Sequence, residues 1–578
     1  MLWRNIIKMS KKSPYASKPW LKNYQKGTRP NIDYPSIPLY GLLDISSNDF
    51  PENDALIMMG KVIKYAELKV LAEKLATALA DLGVKKGDTV ALHLPNVSQF
   101  VIGYYAALRT GAKVTCCSAL LSPPELEFQL NDSGAQTIIT FDDRPRKGGQ
   151  FDTVAAIRDK TKLRNVILTA LRDFLPGKQW TPPETPGCIQ LLTLLSKYEA
   201  KPPKVSINPK EDVAVLQYTG GTTGIPKGAM LTHMNLVANA LQCADWNQGS
   251  TRGKEIILVN LPLFHIYGQT VCMNHSIYMG CKLVLNPDPR DFPSLFSLIK
   301  QYKPSLFPGI PTLYMRMLTY KDLPKYKESM KSIRIMNSGA APLPPETLRQ
   351  FEDITGGKIA EGYGLTECSP VTHSNPLIGL RKVGSVGMPF PDTEVKIIDI
   401  ETSTKEMPLG QDGELAIKGP QTMKGYWNKA SETAKQLKNE LVGEKGPWVL
   451  TGDIAKMDED GYFYIVDRKK DMIDVSGFKV YPREVDDVLF EHPAVAMAAT
   501  VGVPDPSTPG NERVKAFIVL KPGIEETDKL KDEIREYCKK KLAPYKVPKF
   551  IEFRKELPMT LVGKVLKRKI REEDSKSE

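Results

Sequence analysis

The sequence predicts an α/β protein with a large multi-lobed N-terminal domain, made of two α/β sub-lobes and a small β lobe, and a small α+β C-terminal domain. Three observations predict it. A chain of 578 residues is too long for one hydrophobic core. Strand-like and helix-like runs alternate through the first two thirds, the pattern of a layered, largely parallel sheet. After about residue 384 the pattern turns to short strands and tight turns, and after 471 to a compact mixture of strands and helices. The boundaries read as a basic leader over 1–34, an N-terminal domain over 35–469 and a C-terminal domain over 470–578.

The elements follow in order. YAELKVLAEKLATALADLGVK, residues 65–85, repeats apolar residues at three-and-four spacing and stops at Gly83, the signature of an amphipathic helix. DTVALHLPN (88–96) is a strand ending in a turn, and FVIGYYAALRTGA (100–112) a second helix closed by glycine. KVTCCSAL is a strand, a helix starts at Pro124, and AQTIITFD is the next strand. Proline- and lysine-rich residues 173–210 break the rhythm and read as a surface excursion between two sub-lobes. The alternation resumes with VAVLQYT, IILVNLPL, KLVLNP, SLFPGIP and IRIMNSGA. TEVKIIDIET, GELAIKGP and GYFYIVDR form the β lobe. REVDDVLFEHP, VAMAATVGVPD, RVKAFIVLKPG and the charged helix DKLKDEIREYCKKKL close the chain.

Composition narrows the function classes. Eight cysteines show no CxxC pairing and no metal-ligand spacing, which argues for reduced thiols in a reducing compartment. No apolar run reaches the roughly 20 residues of a membrane span. The first thirty residues hold no Asp or Glu, so the leader is either a solvated segment or an organelle-targeting one. A net charge of +12 suits anionic partners, but nothing matches a zinc finger or a basic zipper, and nucleic acid is not expected. The dense basic patch lies at the end, in 539–549 and 564–571.

The stretch 218-YTGGTTGIPKGAM-230 carries the strongest local signal. Gly220, Gly221, Gly224 and Gly228 permit close backbone approach, and their N–H groups can cradle an anion. Thr219, Thr222 and Thr223 add hydroxyls, and Lys227 a mobile positive charge. VAVLQY before it reads as a strand and MLTHMNLVANALQ after it as a helix, the arrangement that holds phosphate. It is not a Walker loop, because Gly228 stands where that motif needs a serine or threonine.

Together with 361-EGYGLTE-367, 451-TGD-453, 467-DRKKDMIDVSGFKVYPREV-485 and 557-LPMTLVGKVLKRKIR-571, this loop resembles the adenylate-forming superfamily of acyl-CoA synthetases, luciferases and adenylation domains. The match runs in order from about residue 35 to 571. Within the superfamily it looks most like long-chain fatty acid–CoA ligases, on SKPWLKNY, PELEFQLNDSGA, LPLFHIYG and RKKDMIDVSGFKVYP. The resemblance implies a two-step reaction: a carboxylate attacks the α-phosphate of ATP to give acyl-adenylate and pyrophosphate, then the thiol of coenzyme A displaces AMP. It also implies that the N-terminal domain binds ATP and acid while the small C-terminal domain is mobile between the steps.

The resemblance assigns the residues. Lys564 contacts both the carboxylate and the α-phosphate; the usual serine two places before it is Val562 here. Glu367 helps place Mg²⁺, with Thr366 beside it on the phosphates. Asp453 accepts from both ribose hydroxyls, and Arg468 is a second partner of the ribose. Gly339, Ala340, Ala341, Gly362 and Tyr363 form the adenine slot. Lys470 is the hinge, and Gly477 and Lys479 in SGFK belong to the coenzyme A side. His265 lies near the acid pocket, Tyr267 and Gly268 border the acyl tunnel, and Gly309, Ile310 and Pro311 line it. Required partners are ATP, Mg²⁺, coenzyme A and a medium- to long-chain acid. The same motifs serve a ligase for a short-chain, hydroxy or aryl acid, or transfer to a carrier protein. The expected location is cytoplasmic, with peripheral contact at the inner membrane surface and a homodimer both left open.

Overall fold

The computed structural model describes residues 13–144, 146–176, 184–219, 225–505, 508, 511–559 and 565–576. The architecture is mixed α/β, as the sequence predicts. Two compact units emerge: one is built from 23–394 and 418–438, the other from the chain up to 22, 395–417 and 439 onward.

The larger unit holds two sheets. The seven-stranded sheet runs in the order Ile189–Gln190, Asn165–Thr169, Thr137–Phe141, Thr89–His93, Lys113–Cys117, Val213–Thr219 and Lys227–Thr232. All pairs are parallel except the last, an antiparallel hairpin. Helix Ser98–Arg109 is buried along its whole length, as its all-round apolar sequence requires. Gly103 lets it approach the sheet: a Cβ there would already lie 3.0 Å from Ile139. Helix Tyr65–Asp81 buries Leu68, Ala72, Leu75, Ala76 and Leu79 on one face, and Gly83 follows at φ +90°, where the expected stop falls. Helix Pro123–Ser133 begins with a Ser122–Glu125 capping box and ends at Gly134. Cys116 and Cys117, adjacent on a strand, point to opposite faces and join two separate cores.

The nine-stranded sheet has a parallel centre, Lys358–Gly364, Ile335–Ser338, Leu306–Gly309, Ile256–Val259, Lys282–Leu285 and Asp54–Met58, with antiparallel strands at both edges. Sites in such sheets form beyond the carboxyl ends of the strands, and those ends here carry Gly309, Gly339, Gly362 and Tyr363.

The other unit contains a five-stranded sheet of Glu394–Ile398, Gly413–Lys418, Leu437–Leu441, Glu444–Met457 and Phe463–Arg468. It also contains the hairpin Ile473–Val475/Phe478–Val480 and a three-stranded sheet, Val495–Pro504, Glu512–Leu520 and Phe550–Phe553. Helices Pro482–Phe490, Asp528–Lys539 and Lys567–Asp574 accompany them.

Three segments differ from expectation. The described part of the leader is not solvated: Trp20 is 2% exposed and meets Phe463 edge-on at 6.1 Å, while the Tyr15 hydroxyl donates to Met407 O at 2.8 Å. Farther on, Tyr34 OH and Ile32 N–H both donate to Asp392 at 2.8 Å. A few scattered aromatics anchor this segment, too sparse to show a period. Within 173–210, Ile189–Gln190 extends the seven-stranded sheet and helix Leu191–Lys197 buries Leu191, Leu194 and Leu195. Finally, strand, loop, helix is not the arrangement at 213–246. Lys227–Thr232 is a strand returning against Val213–Thr219, and helix His233–Trp246 starts only after it, capped by Thr232. The chain on either side of the loop is therefore strand, and no helix begins there. KGAMLT lacks the alternation that marks a strand, and the helix's apolar pattern runs straight on from it.

Candidate active site

The hairpin places Thr219 directly opposite Lys227, so that both stand at the base of the glycine-rich tip. Gly220, Gly221, Thr222, Thr223 and Gly224 lie outside the described residues. Lys227 is not a mobile charge. It is 8% exposed, its Nζ sits 2.8 Å from Glu432 Oε2, and the Tyr426 ring lies 5.0 Å away. Hydrogen bonds from Lys227 and then Lys435 hold the Glu432 carboxyl down to about 2.

The segment carrying Tyr426 runs along the edge of the hairpin. Met230 N–H donates to Gly425 O and Trp427 N–H to Gly228 O, both at 2.8 Å, with Ala229 and Tyr426 bridged antiparallel. Gly228 packs 3.1 Å, by its missing Cβ, from the Tyr218 ring, so a side chain there would press on the strand opposite. Tyr426 OH donates to Glu367 Oε1 at 2.5 Å, and Met423 N–H to Glu367 O at 2.7 Å. Burial first, and then the Glu367 charge, push the Tyr426 hydroxyl far above its ordinary range, so it stays a donor. Thr366 and Glu367 sit in a short 3₁₀ turn after strand Lys358–Gly364. Lys227, Tyr426, Glu432 and Glu367 therefore form one linked group. Sequence reasoning missed Tyr426 and Glu432, some 200 residues from the hairpin; KGYW, with Gly425 at φ +143°, was the only signal.

Ser338 pairs with Glu361, which aligns Gly339, Ala340 and Ala341 with Gly362 and Tyr363 at neighbouring strand ends. Ala340 takes φ +71°, turning the chain sharply. Tyr267 completes this wall: its OH approaches Asn337 O at 3.3 Å and Gly309 O at 3.4 Å, and its ring leaves 3.4 Å for a Cβ at Gly339. Gly268 is required, since a Cβ would fall 2.2 Å from Pro262 O. Pro311 begins the helix that follows Gly309 and Ile310. His265 Nδ1 accepts from Tyr267 N–H at 3.2 Å, and burial lowers its ring to about 4. It is a neutral imidazole shaping the turn beside Tyr267.

In the other unit, Asp453 and Arg468 face each other across two antiparallel strands, with Arg468 Nε 2.9 Å from Asp453 Oδ1. Asp453 is 3% exposed, and Arg468 is anchored at the end of its strand. Lys469 pairs with the buried Glu414 at 2.9 Å. Lys470 is exposed; loss of part of its solvation lowers its ammonium, and Arg468 and Arg571 lower it further against the pull of Asp471. Ser476 and Gly477, both at positive φ, make the two-residue turn of the hairpin. Gly477 N–H and Lys479 Nζ both reach Asp474 at 2.7 Å. Phe478, 57% exposed, stacks on Tyr545 at 4.8 Å. Lys564 lies outside the described residues.

Among the described residues no three His, Cys, Asp or Glu side chains gather as a metal site. A magnesium ion sharing one protein carboxylate with phosphate oxygens needs no such cluster, and Glu367, fixed by Tyr426, suits that role.

Comparison with known proteins agrees with this geometry. Residues 43–427 match the AMP-binding enzyme family and residues 484–564 the AMP-binding enzyme C-terminal domain. A long-chain-fatty-acid–CoA ligase of Bacillus subtilis (strain 168) is 40% identical over 97% of this chain and 99% of its own. The crystal structure of the anthranilate CoA ligase AuaEII in complex with anthranoyl-AMP superposes with a TM-score of 0.81 at 27% identity, over 93% of this chain and 98% of that one. A Mycobacterium tuberculosis fatty acyl CoA synthetase gives 0.70 at 28% identity, over 93% and 99%. The chain belongs to the AMP-binding enzyme family, the adenylate-forming enzymes, which act on ATP with Mg²⁺.

Proposed function

We propose that this protein ligates a medium- to long-chain fatty acid to coenzyme A through an acyl-adenylate. The observation that carries the reading is the linked group Lys227–Tyr426–Glu367 at the base of the glycine-rich hairpin, beside the slot of Gly339, Ala340, Ala341, Gly362 and Tyr363. It offers a cation and an oriented carboxylate next to a place for a flat base. The full-length relatives named as long-chain-fatty-acid–CoA ligases support the acid class.

Both reactants are anions, so the first step needs charge neutralisation and alignment. Lys227 stands at the polyphosphate and Thr219 beside it. Glu367 would hold Mg²⁺, which when bound would supply positive charge to offset that of the phosphates. Asp453 accepts from the ribose hydroxyls, with Arg468 held beside it, Nε 2.9 Å from Oδ1. Lys564 binds the attacking carboxylate and the α-phosphate in this step. In the second step the hairpin Gly477–Lys479 serves coenzyme A, with Lys479 toward its phosphates. Tyr267, Gly309, Ile310 and Pro311 line the acyl chain's path. A fatty acid partitions into bilayers, so the reading includes peripheral contact with a membrane surface. Among the described residues no helix is long and apolar enough to cross one.

Pyrophosphate release with ATP and Mg²⁺, across straight-chain acids and benzoate, with and without coenzyme A, tests the reading. The expected result is a maximum at medium or long chain with turnover dependent on coenzyme A. A maximum on short, hydroxy or aromatic acids, or indifference to coenzyme A, would move the protein to another branch of the family.

A further inference from the structure

The chain between strands Val371–Ser374 and Met388–Pro389 of the larger unit exposes a group of aliphatic side chains. Ile378, Leu380 and Val383 are each more than half exposed. Single exposed apolar residues are ordinary on a soluble protein; three so close together mark a surface that meets something. The loop is not loose. Leu377 N–H and Ile378 N–H both donate to Gln25 Oε1 at 3.0 Å. Lys382 N–H donates to Asn375 Oδ1 at 3.1 Å, and Gly384 N–H to Glu361 Oε1 at 3.0 Å. Arg381 donates to Glu352 Oε2 at 3.0 Å and to Ile359 O at 2.8 Å. Gly379 makes the turn between Ile378 and Leu380 at φ +118°. The backbone is pinned while the three side chains stay uncovered.

The surroundings are cationic. Lys26, exposed, follows Gln25. Arg334 reaches Gly249 O at 3.5 Å, and Ile378 Cδ1 lies 3.9 Å from the Cβ position of that same glycine. Lys358 and Arg381 share Glu352, and Lys382 belongs to the loop itself. The paired carboxylates are turned inward: Glu255 is 5% and Glu352 13% exposed, against 49% for Arg334 and 55% for Lys358. Asp353, beside Glu352, is exposed. Lys26, Arg334, Lys358, Arg381 and Lys382 thus outnumber these carboxylates, most of whose charge lies beneath the surface. Arg334 precedes strand Ile335–Ser338 and Lys358 opens strand Lys358–Gly364, so the face lies at the amino ends of the sheet. Gly339, Gly362 and Tyr363 stand at the opposite ends.

We propose that this face docks the protein on a bilayer of anionic phospholipid. Ile378, Leu380 and Val383 enter the acyl boundary, and Lys26, Arg334, Lys358 and Lys382 meet the headgroup phosphates. The inference rests on the fatty acid reading above and names the surface for the peripheral contact given there. Aliphatic prongs ringed by cations match a partner that is apolar inside and negative at its rim. A fatty acid partitions into the bilayer, so docking gathers the enzyme where its substrate is. It also leaves the carboxyl ends of the strands facing the water from which ATP and coenzyme A arrive.

The test is co-sedimentation of the full chain with vesicles of phosphatidylcholine plus phosphatidylglycerol, and of phosphatidylcholine alone. Pyrophosphate release with dodecanoate in vesicle-free solution runs alongside. The wild type is expected to bind the phosphatidylglycerol vesicles and to lose most of that binding at high salt or on phosphatidylcholine alone. Ile378→Asp/Leu380→Asp should bind at least about tenfold more weakly. Lys26→Gln and Lys358→Gln should each bind about fivefold more weakly. All three keep wild-type pyrophosphate release. Undiminished vesicle binding by the double aspartate variant overturns the proposal and leaves the peripheral contact to another surface. If that variant also loses pyrophosphate release, the lysine variants decide, and undiminished binding by both overturns the proposal. Absence of wild-type binding, or binding indifferent to phosphatidylglycerol, overturns it too. So does a solution dimer that the double variant dissolves without any vesicle binding, which gives the face to a second copy. Vesicle binding lost in the variants of a wild type that releases no pyrophosphate with dodecanoate supports the docking face and sinks the ligase reading.

Discussion

Lys227 is paired with Glu432, its Nζ 2.8 Å from Oε2. A phosphate that takes up Lys227 competes with that carboxylate. Glu432 is also shared with Lys435 at 2.7 Å, so it can turn away without being left alone.

Glu432→Gln therefore should free the Lys227 charge for the polyphosphate. A pair this far out of solvent loses in desolvation much of what it gains in attraction, so KM for ATP is expected to fall by roughly threefold, with kcat little changed. Lys227→Met should raise KM for ATP. Initial rates against ATP concentration decide it, and a raised KM in Glu432→Gln would mean that the carboxylate orients the lysine rather than occupying it.

Tyr426 ties Lys227 to Glu367, the carboxylate proposed for Mg²⁺, since its ring faces Lys227 and its hydroxyl holds Glu367 at 2.5 Å. Tyr426→Phe keeps the ring and removes the hydrogen bond. Groups that orient a metal ligand are worth about 10- to 100-fold in metal affinity. The Mg²⁺ concentration for half-maximal pyrophosphate release is expected to rise by roughly tenfold, with KM for the acid unchanged. A Mg²⁺ titration at fixed ATP reads this directly.

Five of the six histidines, His93, His233, His265, His275 and His373, have rings lowered to about 4 or below, in each case by loss of solvation; four are buried and His265 is half-buried. All five lie in the larger unit. Between about pH 6.5 and 4 the unfolded chain binds protons that the folded one refuses, so stability falls as pH drops through that window. Each group contributes about 1.4 kcal/mol per pH unit there. Calorimetry from pH 7 to 5 should show the transition of this unit moving steeply down. His233→Gln should flatten the slope by about one proton. His233 Nδ1 accepts from Leu39 N–H at 3.0 Å, a bond that protonation removes.

The aromatic anchor at the start of the chain is structural. Gly461 at φ +82° has Trp20 backbone atoms 2.5 Å from where a Cβ would stand. Trp20→Ala leaves a cavity against Phe463 and is expected to cost about 3–5 kcal/mol. Removal of residues 1–20 should do at least as much. Denaturant midpoints measured on the full-length forms check it, and an unchanged midpoint would return this segment to the role of a leader.

Much of the fold was legible because strong periodicity survives in single stretches. Helix Tyr65–Asp81 and its stop at Gly83 read directly, and so did the core strands from Thr89 to Phe141. What escaped depended on partners distant in the chain. KGAMLT becomes a strand only because VAVLQYT lies on one side and residues 424–427 on the other. Trp20 reads as one more residue of a basic leader until Phe463 is beside it. The site divides the same way. Thr219, Lys227, Glu367, Asp453 and Arg468 were marked by short motifs, and the Asp453–Arg468 pairing follows from strand register. Tyr426 and Glu432 carry no motif of their own, and only folding brings them to Lys227.

The neighbouring thiols Cys116 and Cys117 belong to cores on opposite sides of one sheet. A thiol-trapping reagent applied to the native protein would thus time two breathing motions from a single peptide. If the helical layers on the two faces loosen together, both sulfurs are modified in step. If one layer opens alone, singly modified peptide accumulates first, and its fragmentation tells which side of the sheet lets go.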